Sequence, residues 1–249
     1  MAGQNVYDDE RFFTLYQAMR DAQAGINETV EQPALRALLP PVAGASVVDL
    51  GCGDGQLSRD LAAQGASSVL GIDPSERMLS LAHQRTTDGR VRYVRGFAED
   101  TQLPAGSVDL VVSSLAFHYV ADFGGLITRV AAWLRPGGWL VASMEHPIMT
   151  AAPELGGDPC IVDRYADESR RNTSWMIDGV VKYHRRLSTI LNAVVAAGLV
   201  VRHVAEPTPT AESLQQRPDL DRHLRRPSIL VLAAANPVPS GRSVPADLR

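Results

Sequence analysis

The chain has 249 residues, and 45% of them are hydrophobic, which suffices for one sizeable core but not for two full domains. The net charge of -4 and the pI of about 5.9 provide no basic stripe for nucleic acid. No apolar run is long enough to span a membrane, and two cysteines, Cys52 and Cys160, favour a reducing cytoplasm over a disulfide framework or a zinc site. We therefore expect a cytoplasmic protein with no nucleic-acid, membrane or metal partner.

The first 42 residues read as a helical cover. One helix is predicted over residues 8–24, where apolar side chains recur on one stripe and Asp8 or Asp9 can cap the first turn. A second helix is predicted over residues 28–39, with Pro33 tolerable only near its start. Such helices either pack against the edge of a sheet or cover a bound ligand, and both interpretations stay open at this point.

From residue 46 onward, segments with strand and helix patterns alternate. Strands are predicted over residues 46–50, 68–72, 91–95, 108–113, 139–144, 199–205 and 228–235, and helices over 56–64, 75–86, 122–134 and 187–197. The near-continuous apolar run at 108–113 is typical of a central parallel strand. The repetition predicts an α/β fold in which a parallel sheet carries helices on both faces.

Residues 145–186 interrupt this alternation with several prolines, the pair Gly156-Gly157 and a possible hairpin around residues 177–180. The segment leaves the carboxyl end of the fifth strand, the edge at which open α/β sheets bind ligands. Because a long insertion at such an edge is usually functional, we predict a substrate lid. The expected organisation is a single domain over residues 1–235, followed by a disordered tail over 236–249.

Residues 46–55, which read SVVDLGCGDG, join a buried strand to a helix through glycines in a GxGxG spacing. Glycine permits positive φ and lets a ligand approach the backbone, and free N–H groups at a helix start favour electron-rich atoms. Asp49 precedes Gly51 by two residues, where it would repel a pyrophosphate and attract an amino group. This combination argues against a nicotinamide-dependent oxidoreductase, which would carry GxGxxG.

A second acid, Asp73, ends the next apolar run, about where a Rossmann-like unit binds ribose. The alternative is that Asp73 caps the following helix, a role that Ser75 could take instead. A nucleoside joined to a positively charged amino-acid tail would satisfy both Asp49 and Asp73, and S-adenosylmethionine is such a molecule.

At this point the sequence resembles the class I S-adenosylmethionine-dependent methyltransferases, in particular the bacterial small-molecule enzymes of the type-11 group. Four motifs occur in the family's order, namely VVDLGCGDG at 47–55, GIDPSERM at 71–78, GFAEDTQLPAGSVDLVVSSLAFHYV at 96–120 and LRPGGWLVAS at 134–143. The resemblance implies a Rossmann-like, seven-stranded, mostly parallel sheet with an antiparallel last strand, an N-terminal helical cover and a lid insertion after strand five.

The resemblance also implies S-adenosylmethionine as the cofactor and S-adenosylhomocysteine as the product. Most of the implied binding positions follow the strands, and two lie in the cover. They are Asp49, Gly51, Cys52, Gly53, Asp73, Pro74, Met78, Ala98, Glu99, Asp100 and Ser114, with Tyr16 and Arg20 from the cover. Asp73 should bind the ribose hydroxyls, and either Glu99 or Asp100 should hold the adenine amine.

Polar residues that could remove a proton or orient the acceptor are expected at the same edge of the sheet. They are His118, Glu145, His146, Tyr183 and His184, although each could equally be a packed polar residue. Three aromatic residues, Phe117, Tyr165 and Trp175, are candidates for lining an apolar acceptor pocket. No metal is needed, because the sulfonium already activates the methyl group.

The function implied by the resemblance is methyl transfer to a small molecule, a bacterial secondary metabolite, by in-line displacement with proton removal assisted by His, Tyr or Glu. The motifs of enzymes that methylate DNA bases are absent from their expected place, because Ser113-Ser114-Leu115-Ala116 follows the central strand and no Pro-Cys nucleophile stands there. C-methylation of an electron-rich ring such as an indole and a non-catalytic cofactor-binding module stay open. So does the choice between a monomer and a homodimer.

Overall fold

The structure is a computed structural model that describes residues 4–22, 25–152 and 160–238. Its strands are β1 (Ser46–Leu50), β2 (Ser68–Asp73), β3 (Val91–Arg95), β4 (Val108–Ser113), β5 (Leu134–Glu145), β6 (Arg170–Trp175), β7 (Ile177–Tyr183), β8 (Val200–Ala205) and β9 (Ile229–Ala235). Seven of them form a sheet in the order β3-β2-β1-β4-β5-β9-β8, and β6 and β7 form a separate hairpin. Strands β1 to β5 are mutually parallel, and β9 is antiparallel to both neighbours. The predicted Rossmann-like sheet is therefore confirmed.

The helices are α1 (Glu10–Asp21), α2 (Gln32–Ala37), α3 (Gln56–Ala63), α4 (Glu76–Arg85), α5 (Phe123–Trp133), α6 (Pro147–Ala151), α7 (Leu187–Ala196), α8 (Ala211–Gln216) and α9 (Arg222–Arg225). They cover both faces of the sheet because successive side chains of a strand point in opposite directions. Val111 of β4 packs in the core beside α5 and α7, whereas Leu110 and Val112 pack in the core beside α3. Both faces of the central strands are consequently buried, as their apolar sequences predict.

Two adjacent acids before the first helix, Asp8 and Asp9, form different hydrogen bonds. The carboxylate of Asp9 accepts a hydrogen bond from the Phe12 N–H at 2.9 Å and caps α1. The carboxylate of Asp8 instead accepts from the Ser75 hydroxyl at 2.6 Å and from the Arg77 N–H at 3.1 Å, at the start of α4. Asp8 thus ties the N-terminal segment to the sheet. The predicted end of this helix, at residue 24, lies outside the described residues.

The second predicted helix, over residues 28–39, is interrupted. Asn27–Glu31 form a π-helical turn in which the Glu31 N–H donates to the Ile26 carbonyl at 3.1 Å, and α2 begins only at Gln32. Pro33 lies in the first turn of α2 and has no N–H, so the regular hydrogen-bond ladder cannot pass through this point. As a result Glu31 is fully buried, although a charged residue of a surface helix would be expected on its exposed face.

The insertion after β5 ends in the hairpin of β6 and β7. The hairpin predicted around residues 177–180 is present, and its turn lies at Met176, which has a φ of 63°. Gly179 belongs to β7 and has a φ of 81° where the register shifts between Thr173 and Trp175. A left-handed glycine accommodates the extra residue of a β-bulge, so the Asp-Gly pair marks a bulge and not the turn. Residues 153–159 of the insertion lie outside the described residues.

The hairpin packs against the cover. The ring of Trp175 meets the ring of Phe12 edge-on at 5.4 Å between centroids, and the ring of Tyr16 at 6.1 Å. The side chain of Gln4 accepts a hydrogen bond from the Val181 N–H at 2.6 Å, at the outer edge of β7. Val180 completes the same apolar cluster. The cover and the hairpin therefore behave as one packed unit.

The sheet extends further than predicted at its C-terminal strand. The Asn236 N–H donates to the Gly138 carbonyl at 2.8 Å, and its own carbonyl accepts from the Gly137 N–H at 2.8 Å. This pairing is possible because β5 begins at Leu134, earlier than the predicted residue 139. The predicted disordered tail therefore cannot begin at Asn236, and residues 239–249 lie outside the described residues. Among the described helices, none has the length and apolar character that crossing a membrane requires.

Phe12→Ala should detach the cover from the hairpin. The Phe12 side chain is fully buried, so its removal should lower the free energy of unfolding by about 3–5 kcal/mol. Leu15→Ala on the same helix is the control, because Leu15 is exposed and its loss should change stability by about 0.5 kcal/mol or less. Urea unfolding of both variants measures the difference, and equal losses would contradict the packing described here.

Candidate functional site

A cavity of about 350 Å³ opens at the carboxyl ends of β1, β2 and β4, with α1 and the segment before it forming one wall. Its size falls in the range of small-molecule sites, and its position is the crevice where open α/β sheets bind ligands. The residues that surround it come from the cover, the glycine turn, the starts of α3 and α4, and the loops after β3 and β4.

The glycine turn after β1 is fixed on one side and open on the other. The N–H groups of Gly51 and Cys52 donate to the Ile72 carbonyl at 2.8 and 3.1 Å, which binds the turn to the end of β2. At Gly51, with a φ of 75°, an added Cβ would lie 2.3 Å from the Ala116 Cβ. At Gly53, with a φ of 54°, nothing lies within 4 Å of an added Cβ. The backbone at Gly53 therefore borders open space that a ligand can enter.

Asp73 connects this turn to the next loop. One of its carboxylate oxygens accepts from the Gly53 N–H at 2.9 Å, and the other accepts from the Ser75 N–H at 2.9 Å. The cap of α4 is the Ser75 hydroxyl, which accepts from the Met78 N–H at 3.1 Å. Burial raises the pKa of Asp73 to about 6, although its two hydrogen bonds lower the pKa and offset part of this rise. Each of its oxygens keeps a second lone pair for a ligand.

Asp49 adds a second buried carboxylate to the same wall. It accepts a hydrogen bond from the Ser58 hydroxyl at 2.6 Å and is almost fully buried. Burial raises the pKa of Asp49 to about 7, the Ser58 hydrogen bond lowers it, and the charge of Asp73 raises it further. A positive group bound nearby would favour the ionised form, so the pair of acids is suited to a cationic ligand.

The loop after β3 supplies the far end of the cavity. Phe97, Ala98 and Glu99 line it, and the Glu99 carboxylate accepts from the Ala121 N–H at 2.8 Å. Asp100, also predicted to bind the cofactor, does not line the cavity. The reason is the 3-10 turn Ala98–Asp100, in which successive side chains point about 120° apart. Of the two acids considered for this end, only Glu99 belongs to the wall.

The cover contributes a cation and an aromatic wall. Arg20 lines the cavity and pairs with Glu28 at 2.8 Å and with the Gln56 side-chain oxygen at 2.9 Å. Tyr16 also lines it, and burial raises the pKa of its phenol to about 12, so that the hydroxyl stays protonated. Both residues therefore lie at the cavity, and their contact with the cofactor stays a prediction. Cys52, Pro74, Met78 and Ser114 line it as well.

Several further wall residues were missed from the sequence. Tyr7 and Tyr119 line the cavity beside Tyr16, and the rings of Tyr7 and Tyr16 meet edge-on at 5.2 Å. Burial raises the pKa of Tyr7 and of Tyr119, so both are hydrogen-bonding phenols and not bases. The sequence could have indicated Tyr119, because this residue directly follows His118 in the motif at residues 96–120. Asn5 and Gln32 gave no signal of their own in the sequence.

The residues predicted as a base or orienting group do not line the cavity, and two histidines show why. His146 caps α6, because its Nδ1 accepts a hydrogen bond from the Ile148 N–H at 3.1 Å. Its Nε2 lies 2.8 Å from a carboxylate oxygen of Glu206. His184 lies 2.7 Å from the Thr150 hydroxyl. Burial lowers the pKa of both histidines. Their hydrogen bonds fix the insertion in place, away from the cavity wall.

The remaining predicted catalytic residues link β5 to the hairpin. Glu145 accepts from the Lys182 ammonium at 2.5 Å, and its backbone N–H donates to His118 Nδ1 at 3.3 Å. Burial lowers the pKa of His118 to about 4, so the imidazole is neutral. The ring of Tyr183 lies under the guanidinium of Arg185 at 5.8 Å. None of these residues lines the cavity, and their catalytic role stays a prediction.

The three aromatic residues predicted to line an acceptor pocket do not line this cavity either. Phe117 is core, with its ring 5.9 Å from that of Phe123. The Tyr165 hydroxyl accepts from the Leu187 N–H at 3.1 Å. Trp175 lies behind Tyr16, as described above. No described residue of the insertion lines the cavity, and the hairpin packs against the outer side of the cover, so the substrate lid stays a prediction.

Comparisons with known proteins identify the family to which this fold belongs. The family model described as "Methyltransferase domain" matches residues 48–142. The crystal structure of an S-adenosylmethionine dependent methyltransferase from Mesorhizobium loti matches with a TM-score of 0.79 and 44% identity, over 82% of this chain and 97% of that one. An uncharacterized protein of Haemophilus influenzae is 32% identical over 247 residues, which cover 92% of this chain and 96% of its own length.

A trans-aconitate 2-methyltransferase of Deinococcus radiodurans is 36% identical over 136 residues, which cover 49% of this chain and 51% of that protein. This chain thus matches about half of that relative's length. The match to the Mesorhizobium loti enzyme, in contrast, extends over almost all of that protein. The chain belongs to the S-adenosylmethionine-dependent methyltransferases, as the sequence motifs predict. It is an enzyme of methyl transfer, and its cofactor is S-adenosylmethionine.

The affinity for S-adenosylhomocysteine should depend on pH through Asp49. With its pKa raised to about 7, this carboxyl carries a proton in part of the empty protein at pH 6.5. A bound ammonium group favours the carboxylate, so binding should release protons, and affinity should rise as the pH increases from 5 to 8. Titration calorimetry at pH 6.5 in two buffers of different ionisation enthalpy measures the release. Equal heats in both buffers would contradict this prediction.

Proposed function

We propose that this enzyme transfers the methyl group of S-adenosylmethionine to a small-molecule acceptor, which binds at the end of the cavity lined by Tyr7, Tyr16 and Tyr119. The observation that carries the proposal is that the cofactor positions implied by the motifs, with the exception of Asp100, surround the same cavity as these three tyrosines. A methyl donor and an acceptor must share one enclosed space for in-line displacement.

The residues present fit the cofactor. Asp73 keeps free lone pairs for two ribose hydroxyls, and Glu99 with the Ala98 backbone can meet the adenine edge. Asp49 and the open backbone at Gly53 suit the amino-acid tail. Buried side-chain oxygens without a hydrogen-bond partner occur in this wall at Asn5, Glu28 and Gln32, and such atoms are completed by the donors of a ligand.

The cofactor supplies a methyl group already activated by its sulfonium. The chain's own contribution is to align the acceptor and to exclude water, and the ring edges of Tyr7, Tyr16 and Tyr119 suit that task. Their phenols are protonated and can hold an acceptor by hydrogen bonds. None of the described residues that line the cavity is a histidine, and we propose that the acceptor's proton is lost to bulk water when the methylated product leaves the cavity.

For the acceptor we propose a small metabolite of the bacterial secondary type. The similarity to a trans-aconitate 2-methyltransferase, which matches this chain over half of its own length, supports a small-molecule acceptor. The name of that relative gives a small molecule as its acceptor. A second candidate reaction is C-methylation of an electron-rich ring, favoured by the three tyrosine rings at the cavity, which can stack on an aromatic acceptor.

Incubation of the enzyme with methyl-labelled S-adenosylmethionine and fractionated cell extract tests this function. We expect label to appear in the small-molecule fraction and to decrease in the variant Tyr16→Leu, which removes one ring from the cavity. Label that appears only in protein or nucleic acid would contradict the proposed acceptor class.

Asp73→Ala should weaken the binding of S-adenosylhomocysteine about 10- to 100-fold, because a hydrogen bond to a charged group contributes about 1.5–3 kcal/mol. Ser75→Ala is the control, since it removes the cap of α4 and leaves the carboxylate in place. That variant should lower thermal stability and keep most of the affinity. If both variants lost affinity equally, Asp73 would be a structural group of the loop and not a ligand of the ribose.

A further inference from the structure

Three tyrosine rings line the cavity, and the rings on either side of Tyr7 stand nearly perpendicular to it. The plane of Tyr7 makes an angle of 86° with that of Tyr16 and of 87° with that of Tyr119, at centroid distances of 5.2 and 6.3 Å. Perpendicular rings have faces that point in different directions. Since a cation interacts with an aromatic ring within about 6 Å of its centroid, a small cation here is within reach of more than one ring face.

The rings are fixed in this arrangement by packing from behind. The fully buried ring of Phe12 meets Tyr7 edge-on at 4.9 Å and lies nearly parallel to the ring of Tyr16 at 6.1 Å. Phe12 does not line the cavity, so it closes the side of these rings that faces away from a ligand. The Lys182 ammonium lies farther back, over the ring of Trp175, and its charge is balanced by Glu145 at 2.5 Å.

Carboxylates outnumber cations in the cavity wall. Its described basic residues, Arg20 and Arg85, each pair with an acid of the same wall, Glu28 and Asp54 respectively. Four further acids of the wall form no ion pair with a described residue, and they are Asp21, Asp49, Asp73 and Glu99. The cofactor has a sulfonium, an ammonium and one carboxylate, hence a single net positive charge. The wall therefore stays anionic around the bound cofactor, even where Asp49 is protonated.

The acids act on the same tyrosines. Burial is the main cause of the raised pKa of Tyr7 and of Tyr16, and the charge of Asp73 raises both further. The charges of Asp54 and Glu28 also raise the pKa of Tyr16. The ring faces and the carboxylates thus share one electrostatic environment, and both favour a cation over an anion or a neutral group.

We propose that the acceptor is a small amine without a carboxylate of its own, and that its nitrogen is methylated beside the faces of Tyr7, Tyr16 and Tyr119. This inference rests on the proposed function and names the substrate class of the same cavity. The rings and the acids complement a positively charged nitrogen, whereas an anionic acceptor would be repelled by the wall.

The charge balance of methyl transfer to an amine fits this wall. The amine reacts in its neutral form, and its lone pair forms the new N–C bond while the C–S bond breaks and its electron pair passes to sulfur. The positive charge thereby moves from sulfur to nitrogen within the cavity, where the ring faces and carboxylates stabilise it. The nitrogen keeps its protons during the transfer, and proton exchange takes place in bulk water.

The test uses the full chain saturated with S-adenosylhomocysteine and two probes of nearly the same size and shape, the tetramethylammonium ion and tert-butanol. The cation resembles a fully methylated amine and cannot accept another methyl group. Ligand-observed NMR titration measures both affinities. We expect the cation to bind about 5-fold or more tightly than tert-butanol, because only the cation is attracted by the ring faces and the carboxylates.

Variants of Tyr16 show whether the ring is responsible. Tyr16→Leu should abolish most of the preference for the cation, whereas Tyr16→Phe, which keeps the ring, should hold the cation affinity within about 2-fold. Tyr119→Leu and Tyr119→Phe give a second comparison, and thermal unfolding confirms that each variant is folded. The amine site would be overturned by equal affinities for both probes, by no binding of either, by a preference that persists in the folded Leu variants, or by equal losses in the Leu and Phe variants.

Label transfer separates amines from other acceptors. The chain is incubated with methyl-labelled S-adenosylmethionine and a small-molecule extract, and the cofactor is then removed by chromatography. The labelled product should migrate as a cation in electrophoresis at pH 7. Label confined to neutral or anionic small molecules would overturn the amine assignment and leave the proposed function intact. Failure of the unsubstituted chain to bind S-adenosylhomocysteine would instead overturn the cofactor cavity, and the amine site with it.

Discussion

Three carboxylates, those of Glu31, Asp49 and Asp73, are buried around one cavity, and the rest of the site is arranged to accommodate them. Burial raises the pKa of all three, which expresses the free-energy cost of keeping anions away from water. Hydroxyl and backbone donors offset part of that cost. The remainder is best relieved by a cation, and S-adenosylmethionine carries positive charge on both its sulfur and its amino group.

The cover owes its position to contacts on two of its sides. Asp8 binds the start of α4, beside Asp73, so the N-terminal segment is attached to the loop that borders the cavity. On the outer side, Phe12 packs against Trp175 of the hairpin. The described part of the insertion after β5 thus contacts the helix that borders the cavity and does not line the cavity itself. The buried pair of Lys182 and Glu145 fastens the hairpin to the end of β5.

Local patterns were sufficient to predict the strands, the glycine turn and most of the wall. The spacing of Asp49, Gly51 and Asp73 is set by one strand-turn-helix unit and the strand beside it, so it is visible in the sequence. The location of His146 and His184 depends on the path of the insertion through space, which no local pattern contains. Glu31 was missed because one regular helix was predicted over residues 28–39, whereas the chain forms a π-turn at Asn27–Glu31 before α2 begins.

A crystal structure of the chain with S-adenosylhomocysteine tests the central claim most directly. The account predicts the ligand in the cavity between the cover and the sheet, with adenosine near Asp73 and the loop of Phe97 and the amino-acid tail at the glycine turn. His146 and His184 should keep their present partners in that complex. Ligand bound against the insertion, with the cavity below α1 left empty, would contradict the account.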